Sequence, residues 1–509
     1  MRDVVINGGG PVGMGLAIEL GQRGHTVTVV ERHPEPQPIP KGQNLTQRTV
    51  EHFAAWGCKD DLLTAHPIPE GAGVGGMTSY GTLLSDHHYD WPARAQVGAF
   101  YAAPPARLPQ YATERVLRKR VAELPNVEVL YGWEGTALEE NDNSVRLSIQ
   151  HRTSSETKDI QAQYLVGTDG ARSMVREASG LPQTLNDHGR LMALLVFRSK
   201  ELHALLERYP GKAFYCVLHP DFDGYWQFFG RVDHGLSWFF HAPVPHGTTR
   251  DTLDAQALLH AAVGTEFAFD IDHVGLWDLR VAVADQYGTD RVFIAGDAAH
   301  SHPPYGGYGI NIGFEDARNL GWKMAATLEG WGGDGLLASY SAERQPVFAT
   351  AAKHLIEKFI EDDRAFLETH APGDPGFQAA WNARSEAGDW VWDYEPNYEG
   401  SPLIGGPGTP SAIGSHQIEA RGGHHLTPVT GFDWSALGTG FSLLTSGNDG
   451  GFSAAAEALG ISLKLLEVPA ETTEALGANL VLVRPDGFVA WAGTDDDARA
   501  ILTRATAAT

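Results

Sequence analysis

Gly8-Gly9-Gly10-Pro11-Val12-Gly13 satisfies G-x-G-x-x-G, and its surroundings give that pattern meaning. Val4-Val5-Ile6 reads as a short apolar strand before it. Met14 to Arg23 has the apolar spacing of a helix, which Gly24 ends. His25 to Val30 is a β-branched second strand, and Glu31 and Arg32 stand at its end. Gly8, Gly10, Pro11, Val12 and Gly13 would let the backbone approach a pyrophosphate at a helix N-terminus, where free N–H groups and the helix dipole favour anions. Glu31 can accept both hydroxyls of a ribose. Strand, loop, helix, strand and acid together mark a dinucleotide site. They do not separate FAD from NAD.

Two further segments carry the same kind of chemistry. Leu165 to Arg176 is a strand that turns at Asp169-Gly170 into a helix, with Ser173 and Arg176 on one side of its first turn. Arg291 to His300 is a strand running into Gly296-Asp297. It is followed by Pro303-Pro304-Tyr305-Gly306-Gly307-Tyr308-Gly309-Ile310-Asn311 and a helix from Gly313 to Lys323. The four glycines within Gly306 to Gly313 require a backbone that runs close to something flat or phosphorylated. His300 and His302 lack a third ligand within reach, so they read as packing or hydrogen-bonding groups and no metal is expected. Asn7 is polar where its strand should stay apolar, which fits a hydrogen bond to a neighbouring loop.

Taken in order, these three motifs resemble the flavoprotein aromatic hydroxylases, the group A FAD monooxygenases of the p-hydroxybenzoate hydroxylase fold. The resemblance spans about residues 1–365. The family's pattern is G-x-G-x-x-G, then D-G-x-x-S-x-x-R, then G-D-A-A-H-x-x-P-P. Arg48-Thr49-Val50-Glu51 and Leu108-Pro109-Gln110 match two more of its segments. The resemblance implies Glu31 on the adenosine ribose, Arg48 by the pyrophosphate, Gln110 by the ribityl chain, and Asp297, after Gly296, on a ribityl hydroxyl. Asp169 would serve both FAD and the passing nicotinamide nucleotide, NADPH or NADH, which has no domain of its own. Pro304, Gly307, Gly309, Ile310 and Asn311 would surround the isoalloxazine, with the helix dipole near Asn311 facing its anionic edge. The implied reaction adds O2 at flavin C4a and passes the distal oxygen of the hydroperoxide to an electron-rich aromatic ring. Tyr308 stands where the family often has Gln, and Ile312 where it often has Thr, so flavin mobility could differ from that of relatives.

The elements that must hold a substrate lie between these motifs. Residues 184–275 read as strand-rich, with strands near 214–219, 225–231 and 236–241 and a hairpin turn at Asp233-His234-Gly235. Their aromatic density suits a flat apolar pocket. His219, Tyr225 and Arg231 are the candidate catalytic groups for deprotonating a phenol. Residues 73–99, with Tyr80, His87, His88, Tyr89 and Trp91, read as a sheet-edge segment that closes the pocket.

The expected fold is therefore α/β. It has a Rossmann-type FAD-binding domain (1–72, 100–183, 276–365), an inserted strand-rich substrate domain (73–99, 184–275), a linker (366–400) and a thioredoxin-like C-terminal domain (401–509). The last has no CxxC, so its expected role is structural or in oligomer contacts. Within the family this tail favours the phenol- and polyketide-hydroxylase-like members.

Of 509 residues, 38 are basic and 63 acidic, a formal net charge of -25, which argues against binding nucleic acid or anionic membranes. Cys58 and Cys216 sit in no redox or metal motif, and no stretch reads as a signal peptide or a membrane span. The expected setting is the cytoplasm, as a monomer or homodimer, with a small aromatic substrate and O2 as partners. Two alternatives share the motifs: an FAD-dependent reductase or dehydrogenase of the same fold, and a binding protein that uses FAD only structurally.

Overall fold

In the computed structural model, residues 1–69, 71–386, 390–494 and 497–508 are described. The N-terminal β-branched runs form a seven-stranded sheet in which Arg2–Asn7 pairs in parallel with Val27–Glu31 on one side and Thr157–Gly167 on the other. Val4, Val5 and Ile6 are fully buried at the centre of this mixed sheet, where helix Pro11–Gly21 lies near and strand Trp133–Glu140 crosses close to Asn7. One of these helices, Pro11–Gly21, follows the glycine loop, and Gly309–Leu328 packs across it. Val292–Ile294 pairs in parallel with Thr157–Gly167, bringing the three sequence motifs to one end of the sheet.

Two long antiparallel strands, Gln183–Arg198 and Asp270–Ala284, lead away from this body into an eight-stranded sheet. Phe228 pairs with His241 and Arg231 with Trp238 in the expected hairpin. Gly75–Tyr80 adds in parallel to Lys212–Leu218, so the 73–99 segment does form the sheet edge.

The stretch expected as a linker is more ordered than its sequence suggests. Helix Ala338–Ala351 runs through a π turn at Ala352–Glu357 into helix Lys358–Thr369. Such a turn inserts a residue and rotates the following face. Phe377–Glu386 and Trp390–Asp393 then fold over the substrate sheet, where Phe366, Phe377 and Trp381 pack on Tyr80 and Leu218. Residues 387–389 of that expected linker lie outside the described residues.

The C-terminal unit has sheet order Leu463–Glu467, Phe441–Thr445, Leu480–Val483, Val489–Gly493, with only the first pair parallel. Helices Phe452–Leu459 and Ala498–Ala505 pack beside it, giving the thioredoxin-like arrangement. Its tight turn, Arg484 to Gly487, is buried against the flavin-side body. Arg484 pairs with both oxygens of Glu343 (2.7 and 2.8 Å) and with Asp486 (2.7 Å), and Trp322 donates to Asp486 (2.9 Å).

Candidate active site

A continuous cavity of about 1330 Å³ runs from the glycine loop to the substrate sheet. At its first end Gly10 caps helix Pro11–Gly21 with an extended backbone and no side-chain cap, so the helix's opening N–H groups are left for a ligand. A Cβ on Gly13 would lie 2.0 Å from the carbonyl oxygen of Gly8, whereas one on Gly10 would meet nothing within 4 Å. The loop is thus tight behind and open in front, as a pyrophosphate cradle must be. Glu31 accepts from the backbone N–H groups of Gly9 (2.7 Å) and His33 (2.6 Å). These bonds fix its carboxylate at the cavity wall beside Arg32 with lone pairs to spare.

The second motif is locked to the first. Asn7 Nδ2 donates to Asp169 (3.2 Å), which accounts for the polar residue at the strand's end. Asp169 also accepts from Ser173 Oγ (2.5 Å), and burial raises its pKa against these bonds. Arg176 donates to the carbonyls of Ala171 and Ala298, tying the second motif to the third. Asp297 opens onto the cavity, and among the described residues its carboxylate has no hydrogen-bond partner. Burial in the surrounding protein raises its pKa, with His300 and Lys41 opposing. Gln110 also lines the cavity, where its Oε1 accepts from the Gly42 N–H (3.2 Å). The wall continues through Gly296, Pro304, Gly307, Gly309 and Ile310.

That wall is held from behind. Gly306 has φ +70°, and a Cβ there would strike the Tyr308 ring at 2.2 Å. Arg94 Nη2 donates to the Gly306 carbonyl (3.0 Å). The Tyr308 ring packs on Tyr394 with centroids 4.6 Å apart, so this departure from the family pattern stiffens the turn. His300 bonds Asp316 (2.7 Å), which also receives Arg344 (2.8 Å). His302 bonds the Pro303 carbonyl through Nδ1, and its Nε2, without a partner among the described residues, lies in the cavity wall.

Three sequence assignments need correction. Arg48 does not line the cavity; its guanidinium is committed to Glu315 (2.7 Å), Glu51 (3.2 Å) and the Asp486 carbonyl, over the Phe488 ring. The Asn311 side chain also lies behind the wall, accepting from Thr46 N and Thr49 Oγ1 and donating to the Asn44 and Gly307 carbonyls. Gly13 shapes the loop from the rear. The physical reason is common: each residue supports the backbone that a ligand would touch.

None of the three candidate catalytic groups reaches the cavity either. His219 caps the turn Pro220–Phe222. Tyr225 is buried with its hydroxyl on His188 (3.1 Å). Arg231 is buried over Trp238 and bonded to Tyr215 and His203. Strand alternation turns Arg231 to the far face of the sheet, while Phe228, on the same strand, faces the cavity.

The chamber wall instead comprises Trp91, Trp226, Phe228, Phe239, Trp277 and Trp390. Two polar groups missed by sequence reasoning stand among these rings. His241 is held neutral by burial, down to about 4, and its Nδ1 has no partner. Asp363 receives Trp226 Nε1 and the Arg384 guanidinium. Alternation on the strand Ser237–Val244 could have indicated His241. No local signal marks Asp363, which sits near the end of an expected helix before an expected linker.

The unpaired carboxylate, the uncapped helix and the open face of Gly10 fit an extended dinucleotide such as FAD. Comparison with known proteins agrees. Residues 1–354 match the family described as FAD binding domain, and residues 430–509 match aromatic-ring hydroxylase, C-terminal. Rifampicin monooxygenase of Streptomyces venezuelae is 31% identical over 99% of this chain and 98% of that protein. The 4-methyl-5-nitrocatechol 5-monooxygenase of a Burkholderia species is 29% identical over 99% of this chain and 96% of that protein. Among solved structures, the rebeccamycin biosynthetic enzyme RebC with reduced flavin superposes with a TM-score of 0.85 at 28% identity, covering 100% of this chain and 99% of that one. Monooxygenases among the relatives support hydroxylation and not the reductase alternative. The chain belongs to the FAD-dependent aromatic-ring hydroxylases of the p-hydroxybenzoate hydroxylase fold, in the subgroup that carries a thioredoxin-like C-terminal domain.

Proposed function

We propose that this monooxygenase hydroxylates a flat phenolic substrate of more than one ring, using NADPH or NADH and O2. The observation that carries this reading is the ring-lined chamber opening directly onto the wall Pro304 to Ile310 within one cavity of about 1330 Å³. That volume exceeds the usual range for one drug-sized ligand and has room for a cofactor and a substrate together. Bound FAD would supply oxygen activation after reduction. The protein's part is to bind, orient and keep water out.

Gly8, Gly10, Pro11 and Val12 would hold the pyrophosphate, Glu31 and Arg32 the adenosine, and Gln110 and Asp297 the ribityl chain, with Asp169 between them. Gly296, Pro304, Gly307, Gly309 and Ile310 would flank the ring system. Trp91, Trp226, Phe228 and Trp277 would stack or edge-pack on the substrate, which favours planar rings over aliphatic chains. The domain bounds given above are proposed with the addition that the 377–393 helices act as part of the substrate chamber. The charge of -25 supports small molecules as partners over nucleic acid or an anionic membrane, and the setting proposed is the cytoplasm.

The test is aerobic turnover with NADPH and NADH over phenol, 1-naphthol, 1,8-dihydroxyanthraquinone and a four-ring polyketide phenol. Products are read by mass for one added oxygen. The multi-ring phenols should give coupled product and phenol mostly hydrogen peroxide. Coupled hydroxylation of phenol alone would count against the reading.

A further inference from the structure

With the three sequence candidates off the cavity, the hydroxylation still lacks a group to take the phenol proton. Asp363 is the side chain whose position meets the requirement. It is 4% exposed and lines the chamber from helix Lys358–Thr369. One carboxylate oxygen receives Trp226 Nε1 and the other Arg384 Nη2. A carboxylate has about four acceptor positions, so two donors orient it and leave capacity for a third. Trp226 is itself a chamber wall, stacked near Tyr305 (4.5 Å between centroids) and Phe359 (6.1 Å). A ring lying along that indole brings its hydroxyl edge to the carboxylate that the indole holds.

The groups facing Asp363 are few. Arg384 comes from helix Phe377–Glu386, Tyr89 from the sheet edge, Cys216 from strand Lys212–Leu218 and Tyr305 from the turn below. On its own helix Asp362 is paired with Lys358, and Arg364 is drawn away to Asp223. Burial pushes the Asp363 carboxyl up to about 6, with Arg384 and Trp226 holding it back from a larger rise. A general base works best with a pKa near the operating pH, so this carboxylate is ionised at neutral pH yet basic enough to hold a proton. His241, held down to about 4, is the weaker base on the opposite wall.

We propose that Asp363 is the catalytic base that accepts the substrate's phenolic proton, a role that rests on the phenol hydroxylase reading above. The O–H bond breaks, its electron pair stays on the phenolic oxygen, and an O–H bond forms on the carboxylate. The charge entering the ring raises its nucleophilicity toward the oxygen donor. After oxygen transfer the attacked ring carbon releases its hydrogen as a proton, which neutralises the anionic oxygen left on the donor. The proton on Asp363 returns to the phenolic oxygen, so the carboxylate ends as it began.

The experiment uses the FAD-loaded full chain with 1-naphthol as substrate and with 1-methoxynaphthalene, which has no proton to give. In the wild type, hydroxylation of 1-naphthol should rise with pH through about 6, as Asp363 ionises, and level off well below the free phenol's range of about pH 10. Asp363→Asn keeps an acceptor for Trp226 but cannot hold the proton. It should slow hydroxylation at pH 7 about 100-fold or more, with reductant diverted to hydrogen peroxide. Activity should return as the pH is raised toward 10, and Asp363→Glu should recover part of it at pH 7. Binding of 1-methoxynaphthalene should be the same in wild type and Asp363→Asn.

The proposal is overturned if Asp363→Asn keeps the wild-type rate and pH profile of hydroxylation. It is equally overturned if the loss is the same at every pH and Asp363→Glu recovers nothing, which is the behaviour of a strut. Failure of the wild type to bind any of the phenols strikes the substrate reading and this proposal together. Wild-type hydroxylation of 1-naphthol that stays low until the pH approaches about 10 strikes Asp363 alone.

Discussion

The flavin side and the substrate chamber share one cavity but are built on opposite principles. The flavin side presents backbone: glycine turns, uncapped helix N–H groups and a few fixed carboxylates. Behind it stands a spine of buried ion pairs, Arg318 with Glu19, Arg48 with Glu315, Arg344 with Asp316, and Lys323 and Arg484 with Glu343. The chamber presents rings, with the ion pairs Asp363–Arg384 and Lys212–Asp90 among the polar groups on its wall. A cofactor that never changes suits a rigid backbone mould, in which the supporting side chains behind the wall are committed to one another. A substrate that must enter and leave suits broad apolar faces and one or two polar contacts.

Acid should separate the two regions most. Burial alone would raise the pKa values of Glu19, Glu315 and Glu343, but the facing cations hold all three below the ordinary range, Glu19 down to about 2. Their stabilisation is present above their unfolded pKa of about 4.5 and is lost as pH falls through their folded values. Asp363 has the opposite sign: its contribution is full below the unfolded aspartate pKa of about 4 and is lost as pH rises through about 6. Thermal unfolding at pH 7, 5 and 3 should therefore show a steep loss of Tm below pH 4.5, with flavin release leading. A flat Tm down to pH 3 would remove the spine from the picture.

Breaking one link of that spine comes next. Arg484→Ala removes one of the two cations paired with buried Glu343, leaving Lys323, and should destabilise by about 3–5 kcal/mol in urea titration. A shift below 1 kcal/mol would mean the C-terminal turn is a passenger. Gly13→Ala places a methyl group 2.0 Å from the Gly8 carbonyl and should weaken FAD binding at least 30-fold, about 2 kcal/mol, leaving a colourless protein. Asp297→Ala removes a contact without a clash. It should weaken FAD by about 1–3 kcal/mol while circular dichroism stays unchanged. Trp277→Phe should leave flavin occupancy untouched and move KM for multi-ring phenols by less than about 10-fold, roughly 1 kcal/mol. Equal sensitivity of FAD binding to Gly13→Ala and Trp277→Phe would erase the contrast between the two regions.

The same contrast explains what could be read in advance. Glycine loops leave local signatures, because a helix N-terminus, a strand before it and an acid after it are fixed within thirty residues of one another. The dinucleotide site, the order of the motifs and the α/β class were legible for that reason, as were the substrate hairpin and the sheet-edge segment. Arg48 and Asn311 were legible as important but not in their role. Only the fold shows that Arg48 turns to Glu315 and Asp486 and that Asn311 stitches Thr46 to Gly307.

The amino-acid order by itself determined that this chain binds a dinucleotide in a strand–loop–helix mould, since neighbours in sequence make that mould. Which residues face the substrate was decided by tertiary structure. Strand alternation buried Arg231 on the wrong face, and the Tyr225 hydroxyl was spent on His188. The π turn and the helices of the expected linker carried Asp363 and Arg384 over a sheet more than a hundred residues earlier in the chain. Contacts between segments so far apart depend on how whole elements pack, and no local spacing encodes them.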